Sequence, residues 1–234
     1  MNNSPIPLES NNDWWWYVAK RKLLKFLLTK KLKEKKFNNI LEVGPGLGNN
    51  IKLLKNFGNV DVLEVEKEFV KYLKENLNDE IDNFYYDLSE INKKFDLIIM
   101  LDVLEHIEDS NRFMENLKEN LNKKGNIIIG VPAYMNLWST HDKEAKHFRR
   151  YTWKTLNNDC KEYEILYRCG FNFLLLPIRF IQIKLFKEIH TTYETGKFLN
   201  NIFLIISNIE YFLRFIGFNP KFGISLYSLL GKKD

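Results

Sequence analysis

The sequence predicts an α/β protein of the doubly wound, Rossmann-like class, and three observations carry the prediction. An apolar run turns into a glycine-rich segment over residues 40–50 (ILEVGPGLGNN), a second apolar run over 60–65 (VDVLEV) carries the acid Glu64, and strand-like runs alternate with amphipathic helical stretches. The turn spaces Gly44, Gly46 and Gly48. Residues without a Cβ enter tight and left-handed conformations and let a ligand touch the backbone. The helix that follows offers unpaired N–H groups to an anionic part of a cofactor. A dinucleotide fingerprint, G-x-G-x-x-G, would need glycine at position 49, where this chain has Asn49.

Each element follows in order. Residues 14–36 predict a helix with Leu24, Leu27, Leu28 and Leu32 as its apolar stripe and lysines around the remainder. A strand over 38–43 leads through the glycine turn into a helix over 47–57 and a strand over 60–65. Glu64 lies near the carboxyl end of that strand, where an acid in a doubly wound sheet accepts hydrogen bonds from ribose hydroxyls. A solvated surface acid is the plainer alternative. A helix with Phe69, Val70, Leu73 and Leu77 on one face precedes a strand over 83–88 that ends near Asp87. The strand over 95–101 runs into Asp102 and LEHI. Ser110 predicts the cap of the next helix, Phe113, Met114, Leu117 and Leu121 its stripe, and Gly125 its end. The β-branched run 126–131 reads as a buried central strand. Pro132 then opens a loop holding Trp138, His141, Asp142, His147, Arg149, Arg150 and Tyr151. Two more strands are expected at 163–168 and 224–230. Between them an apolar insert over 170–220 predicts helices at 174–189 and 199–215, both interrupted too often to span a bilayer.

The pattern of an E-x-G-x-G-x-G turn, acids ending the second and third strands, and FDLIIMLDVLEHI resembles the class I S-adenosylmethionine-dependent methyltransferases. DWWWYVAKRKLL near the start, LWSTHDKEAKHFRRYT, FNFLLLP and FGISLYSLLGKK resemble a bacterial and archaeal subgroup of them, and the cofactor half is similar to the ubiquinone-biosynthesis O-methyltransferases. The resemblance implies a seven-stranded, mostly parallel sheet in the order 3-2-1-4-5-7-6. It implies a 1–36 N-terminal helical cap, with Trp14, Trp15, Trp16 and Tyr17 as lid or packing residues, and a single domain over 37–234 whose insert is a lid or substrate wall. S-adenosylmethionine would be the cofactor and S-adenosylhomocysteine the product. Glu42, Gly44, Gly46 and Gly48 would hold the methionine moiety, Glu64 the ribose and Asp87 with Leu88 the adenine, with Asp102 beside the sulfonium. Two departures stand out: the subgroup carries glycine where Lys146 precedes His147, and Gly-Phe where this chain has Glu162 and Tyr163.

If the acceptor is a hydroxyl, a base helps remove its proton, and histidine suits that task near neutral pH. His106, His141 and His147 are the candidates, with structural roles as the alternative. Arg149 and Arg150 suit a bidentate anion clamp or a solvated surface. No metal is assigned, although a divalent ion on Asp102, Glu105 and His106 is the alternative to capping and cofactor contact.

With 45% hydrophobic and 28% charged residues the chain is an ordinary globular protein, and its 35 basic and 30 acidic residues leave a mild +5. Basic residues crowd into one stretch: Lys20, Arg21, Lys22, Lys25, Lys30, Lys31, Lys33, Lys35 and Lys36. That stretch suits a solvated helix face, a polyanion or an anionic membrane surface. Cys160 and Cys169 lack metal or disulfide spacing. The opening MNNSPIPLES lacks a basic and apolar leader, so the expected setting is the cytoplasm, with peripheral membrane contact as an option. The favoured function is methyl transfer to oxygen or nitrogen of a small, lipid-linked or glycan-linked acceptor, by a monomer or homodimer. The alternatives are a protein or nucleic-acid methyltransferase, the latter disfavoured because no Asn-Pro-Pro-Tyr segment follows the fourth strand, and a non-catalytic scaffold binding a membrane or partner.

Overall fold

The computed structural model describes residues 13–33, 36–185 and 196–233. One sheet is built from β1 (Phe37–Val43), β2 (Gly58–Leu63), β3 (Asn83–Tyr85), β4 (Phe95–Leu101), β5 (Leu121–Pro132), β6 (Tyr163–Phe171) and β7 (Ser225–Lys232). Its order is β3-β2-β1-β4-β5-β7-β6, the order the resemblance implies. The first five strands run parallel, and β7 pairs antiparallel with both β5 and β6. Leu97, Ile98, Ile99 and Met100 of β4 are all fully buried, as expected of a strand covered on both faces.

Helices close the two faces. α1 (Trp15–Phe26), α2 (Ile51–Lys55) and α3 (Lys67–Asn76) cover one face through Leu24, Leu27, Ile51, Leu54 and Leu73. α4 (Ser110–Leu117) and α6 (Trp153–Asp159) cover the other through Met114, Leu117 and Leu156, with the short α5 (Thr140–Glu144) in the loop between. α7 (Leu176–Leu185) and α8 (Lys197–Phe215) form the insert between β6 and β7. α8 lies along α1, with Trp15 on Phe203 at 4.9 Å and Phe26 on Tyr211 at 6.4 Å between ring centroids. Among the described residues no helix is long and apolar enough to cross a membrane.

Several expected boundaries move, each for a local reason. The first helix leaves α-geometry after Phe26, continues as a π-helical turn over Leu27–Leu32 that keeps Leu27 and Leu28 both fully buried, and stops at left-handed Lys33. The helix expected over 47–57 shrinks to Ile51–Lys55 because the positive-φ glycines hold the chain in turns up to Asn50. β3 ends at Tyr85, which leaves Asp87 in the turn beyond it. Asp109, whose side chain accepts from the Arg112 N–H at 3.1 Å, caps α4 in place of Ser110. Ser110 instead donates to Asp159 at 2.6 Å. Leu121 opens β5 and does not close α4, and Gly125 sits at a bulge where the pairing with β4 jumps from Phe95–Leu121 to Leu97–Asn126. A Cβ on Gly125 would lie 2.7 Å from Leu121 Cδ1, so the bulge closes tightly only on glycine. Met1–Ser10, Lys35, Lys187 and Ile189 lie outside the described residues.

Candidate active site

β1, β2 and β4 are parallel neighbours, so their carboxyl ends open onto one edge of the sheet, where the glycine turn, Glu64 and Asp102 gather. Gly44, Gly46 and Gly48 have φ of 63°, 55° and 71°, the left-handed region that favours glycine. Two of them are also held by packing: a Cβ on Gly44 would lie 2.7 Å from Val103 Cγ2, and one on Gly48 2.4 Å from Leu77 Cδ1. A Cβ on Gly46 would meet nothing within 4 Å. Gly46 is therefore the place where backbone faces open space.

Glu42 ends β1 almost fully buried. Its Oε1 accepts from Asn50 Nδ2 at 2.8 Å, while Oε2 has no hydrogen-bond partner. Burial pushes this carboxyl up to about 7 against the pull of Asn50 and Lys20. Buried polar atoms are nearly always paired, so an orphaned acceptor beside an open glycine turn fits a ligand that brings a donor. Glu64, just past β2, accepts from Gly46 N and from Glu66 N, each at 3.0 Å. Burial raises its pKa against these backbone bonds, and a carboxylate has acceptor capacity beyond them for a ribose hydroxyl. Asp87 is exposed and caps the turn Leu88–Glu90 through Ser89 N at 2.8 Å; that bond and the Ser89 hydroxyl lower its pKa.

Asp102 adopts φ 57° and pairs with Lys20 Nζ at 2.5 Å. Lys20 was grouped in the sequence with lysines on a solvated face, yet it is 8% exposed and holds α1 down over the end of β4. The signal for it is its position: it interrupts the apolar stripe that runs from Trp16 through Leu23 and Leu24 to Leu27. Trp15 and Trp16 pack, the latter against Phe171 at 5.4 Å, whereas burial and the nearby Asp102 both raise the pKa of Tyr17.

The second half of the site is a network of side chains. Asp142 is fully buried at the centre of the loop after β5. It accepts from Arg150 Nε at 2.7 Å, from Ser139 N at 2.8 Å, and pairs with His147 Nδ1 at 2.9 Å. These bonds hold its carboxylate well below the usual range even though burial opposes them. With Nδ1 donating to Asp142, His147 presents Nε2 as a free acceptor. The Phe148 N–H donates to the Glu105 carbonyl at 2.8 Å and docks the loop on the turn Leu104–His106, directly after Asp102. His147 thereby stacks edge-on with His106 at 4.5 Å and with His141 at 5.9 Å. Partial burial and then His147 push the His106 imidazole down to about 4, and burial lowers His141 too, so both rings are neutral at pH 7.

The three histidines expected as candidates thus come together, and the two arginines do not join them as an anion clamp. Arg149 reaches away to Ser110 Oγ at 2.6 Å and to the Glu108 carbonyl. Arg150 is buried on Asp142 and on the Ala133 carbonyl at 3.2 Å. Asp102, engaged by Lys20, is also absent from the possible metal set. Glu105, His106 and His147 form it instead, with one ligand atom each within 4.8 Å of the others. Glu105 is fully buried with both carboxylate oxygens unpartnered, and burial together with Asp102 raises its pKa well above the ordinary value. Lys146 holds φ 56°, a left-handed position that glycine takes without strain. Beside the loop an open cavity of about 380 Å³ is lined by Tyr134, Asn136, Leu137, Leu176, Pro177 and Phe180.

Comparison with known proteins decides the family, because the methyltransferase-domain family matches residues 15–165. The chain belongs to that family. No protein of curated function matches its sequence. Among solved structures, the methyltransferase is similar to the N-methyltransferase NodS from Bradyrhizobium japonicum, crystallised with S-adenosylhomocysteine, at 14% identity and TM-score 0.59 over 100% of this chain and 94% of that one. An S-adenosylmethionine-dependent methyltransferase from Clostridium acetobutylicum matches at 14% identity and TM-score 0.56, over 97% and 93% of the two chains. Haemonchus contortus phosphoethanolamine N-methyltransferase 2, in complex with S-adenosylmethionine, matches at 13% identity and TM-score 0.59 over 99% of this chain and 59% of its own length. These likenesses establish the class I S-adenosylmethionine-dependent methyltransferase fold.

Proposed function

We propose that this methyltransferase uses S-adenosylmethionine to methylate an oxygen or nitrogen of a small, lipid-linked or glycan-linked acceptor, with His147 as the base that removes the acceptor's proton. The observation that carries this reading is the Asp142–His147 pair docked against the turn that follows Asp102, on the edge where the glycine turn opens. The cofactor supplies an electrophilic methyl group, and the transfer is an in-line displacement that depends on alignment and exclusion of water. The residues present fit such a cofactor. Glu42 Oε2 would accept from its ammonium, the turn at Gly46 leaves room for the cofactor against the backbone, and Glu64 would hold its ribose. Asp142 fixes the imidazole of His147, and neutral His106 and His141 add no positive charge beside it. The apolar cavity beside Tyr134 offers room for the greasy part of an acceptor.

The test is methyl-labelled S-adenosylmethionine with three acceptor sets: prenyl-phosphate-linked sugars, free phenols and amines, and protein or RNA. Label in either of the first two sets supports the reading. Label confined to protein or RNA overturns the acceptor class, and absence of turnover with retained cofactor binding favours the scaffold.

A second reading keeps the same acceptor and gives Glu105, His106 and His147 a divalent ion in place of a base. The unpartnered oxygens of Glu105 favour it, since one carboxylate and two imidazoles suit a transition ion. Metal analysis of the purified protein, with activity before and after chelation, separates the two.

A further inference from the structure

α8 is apolar on its outward side as well as where Phe203 and Tyr211 meet α1. Its inward side carries Ser207, Glu210 and Arg214, all at most 6% exposed, while Phe198, Ile205, Ile209, Phe212 and Ile216 project into solvent at 47% to 76% exposure. With half-buried Ile202 these positions step by four and three residues alternately, a continuous stripe along one side of a helix. The orientation is fixed by bonds. Glu210 accepts from Leu174 N at 2.7 Å, and Arg214 donates to the Gly170 carbonyl at 2.7 Å and to Asn219 at 3.2 Å. Turning the stripe inward would break all three. α7 and the residue leading into it repeat the arrangement with Leu174, Ile178, Ile181 and Leu185, again spaced by four and three and all exposed. An apolar face this long on a folded protein marks an interaction surface.

Charge selects what covers it. Among the described residues of 174–222, the exposed charged side chains are Lys184, Lys197 and Lys221, and the acid Glu210 is buried. Lys30, from the π-helical turn after α1, lies over the Phe215 ring at 5.0 Å. Among the described residues this face offers a second copy no exposed acid with which to pair these lysines. An apolar stripe whose exposed charges among the described residues are all cations is instead the form of a helix that lies in a bilayer interface and draws on anionic headgroups.

We infer that the outward faces of α7 and α8 form a docking surface for an anionic lipid bilayer. The surface holds the enzyme in the interfacial plane without spanning it. The inference is independent of the acceptor and of turnover. α7 also lines the apolar cavity through Leu176, Pro177 and Phe180, so the docked enzyme would open that cavity beside the lipid.

The experiment is co-sedimentation of the full chain with vesicles of phosphatidylcholine alone and of phosphatidylcholine with about one third phosphatidylglycerol. Binding to the anionic vesicles, weakened by salt, is expected. The triple variant Ile205→Glu, Ile209→Glu, Phe212→Glu should lose at least about tenfold in vesicle affinity while its S-adenosylhomocysteine affinity, which reports folding, stays at the wild-type value. The milder Lys184→Gln, Lys197→Gln pair should lose the preference for anionic over neutral vesicles. Wild-type protein that ignores both vesicles, equal binding to both, or a triple variant that binds like wild type would each overturn the inference. A concentration-dependent dimer that the triple variant abolishes, with no vesicle binding, would assign the face to a second copy.

Discussion

The two halves of the site are made of different material. The cofactor edge is largely backbone: positive-φ glycines, strand ends, and Glu64 and Asp87 anchored on neighbouring N–H groups. The acceptor side is side chains converging on Asp142 from a loop with only a short helix of its own. Backbone constraints leave marks at fixed spacing, whereas a side-chain network leaves residue types that many surfaces share. The comparison also predicts how each half fails, since a lost side chain should disable the second half locally and weaken the first only by degrees.

The hardest blow to that contrast is Asp142→Ala. It leaves the buried Arg150 uncompensated, so urea unfolding should show a loss of about 3–5 kcal/mol along with turnover. Cofactor affinity in the fraction that remains folded should persist. If it vanishes as well, the halves are one cooperative unit. His147→Ala is the cleaner cut: kcat should fall about 10²–10⁴-fold with S-adenosylhomocysteine binding unchanged in calorimetry. A fall of less than about threefold would remove the imidazole from the chemistry.

On the cofactor side the effects should be graded. Glu64→Ala removes a charged hydrogen-bond acceptor and the tie to Gly46, and should weaken S-adenosylhomocysteine about ten- to hundredfold. Glu42 supplies the pH test. Its folded pKa lies at about 7, above the ordinary carboxyl value, so the ionised form that accepts from a ligand ammonium is lost as pH falls below 7. Affinity should therefore rise about tenfold from pH 6 to 8 and level off, and Glu42→Gln should flatten the profile. Fold stability from this group runs the other way, decreasing as pH climbs from the unfolded value toward 7. The smallest effect belongs to Lys146→Gly, which relieves a left-handed lysine and should raise stability by up to about 1 kcal/mol in a thermal scan.

The strand order was legible through the family resemblance, and the glycine turn and the place of Glu64 because a parallel sheet sets its ligand edge by rule. Lys20 showed only as an interruption of the apolar stripe of α1, since its partner Asp102 stands 82 positions away. Arg149 and Arg150 are chemically identical neighbours, and only the fold sends one toward Ser110 and the other under Asp142. The three-histidine cluster was readable as a set of candidates but not as a contact, because His106 and the loop meet through one backbone bond to Glu105. The outward apolar face of α8 defeats periodicity for a further reason. A 3.6-residue pattern tells which side is apolar, while inside and outside depend on what each side meets.

β7 is last in chain order but sits between β5 and β6, pairing with both along its length. During synthesis, then, β5 waits with one edge bare, its row of Ile127, Ile128 and Ile129 open to any extended segment nearby. The nascent enzyme carries its own aggregation hazard until residues 225–232 leave the ribosome, and a chain stopped short of them would be expected to need chaperones rather than to fold.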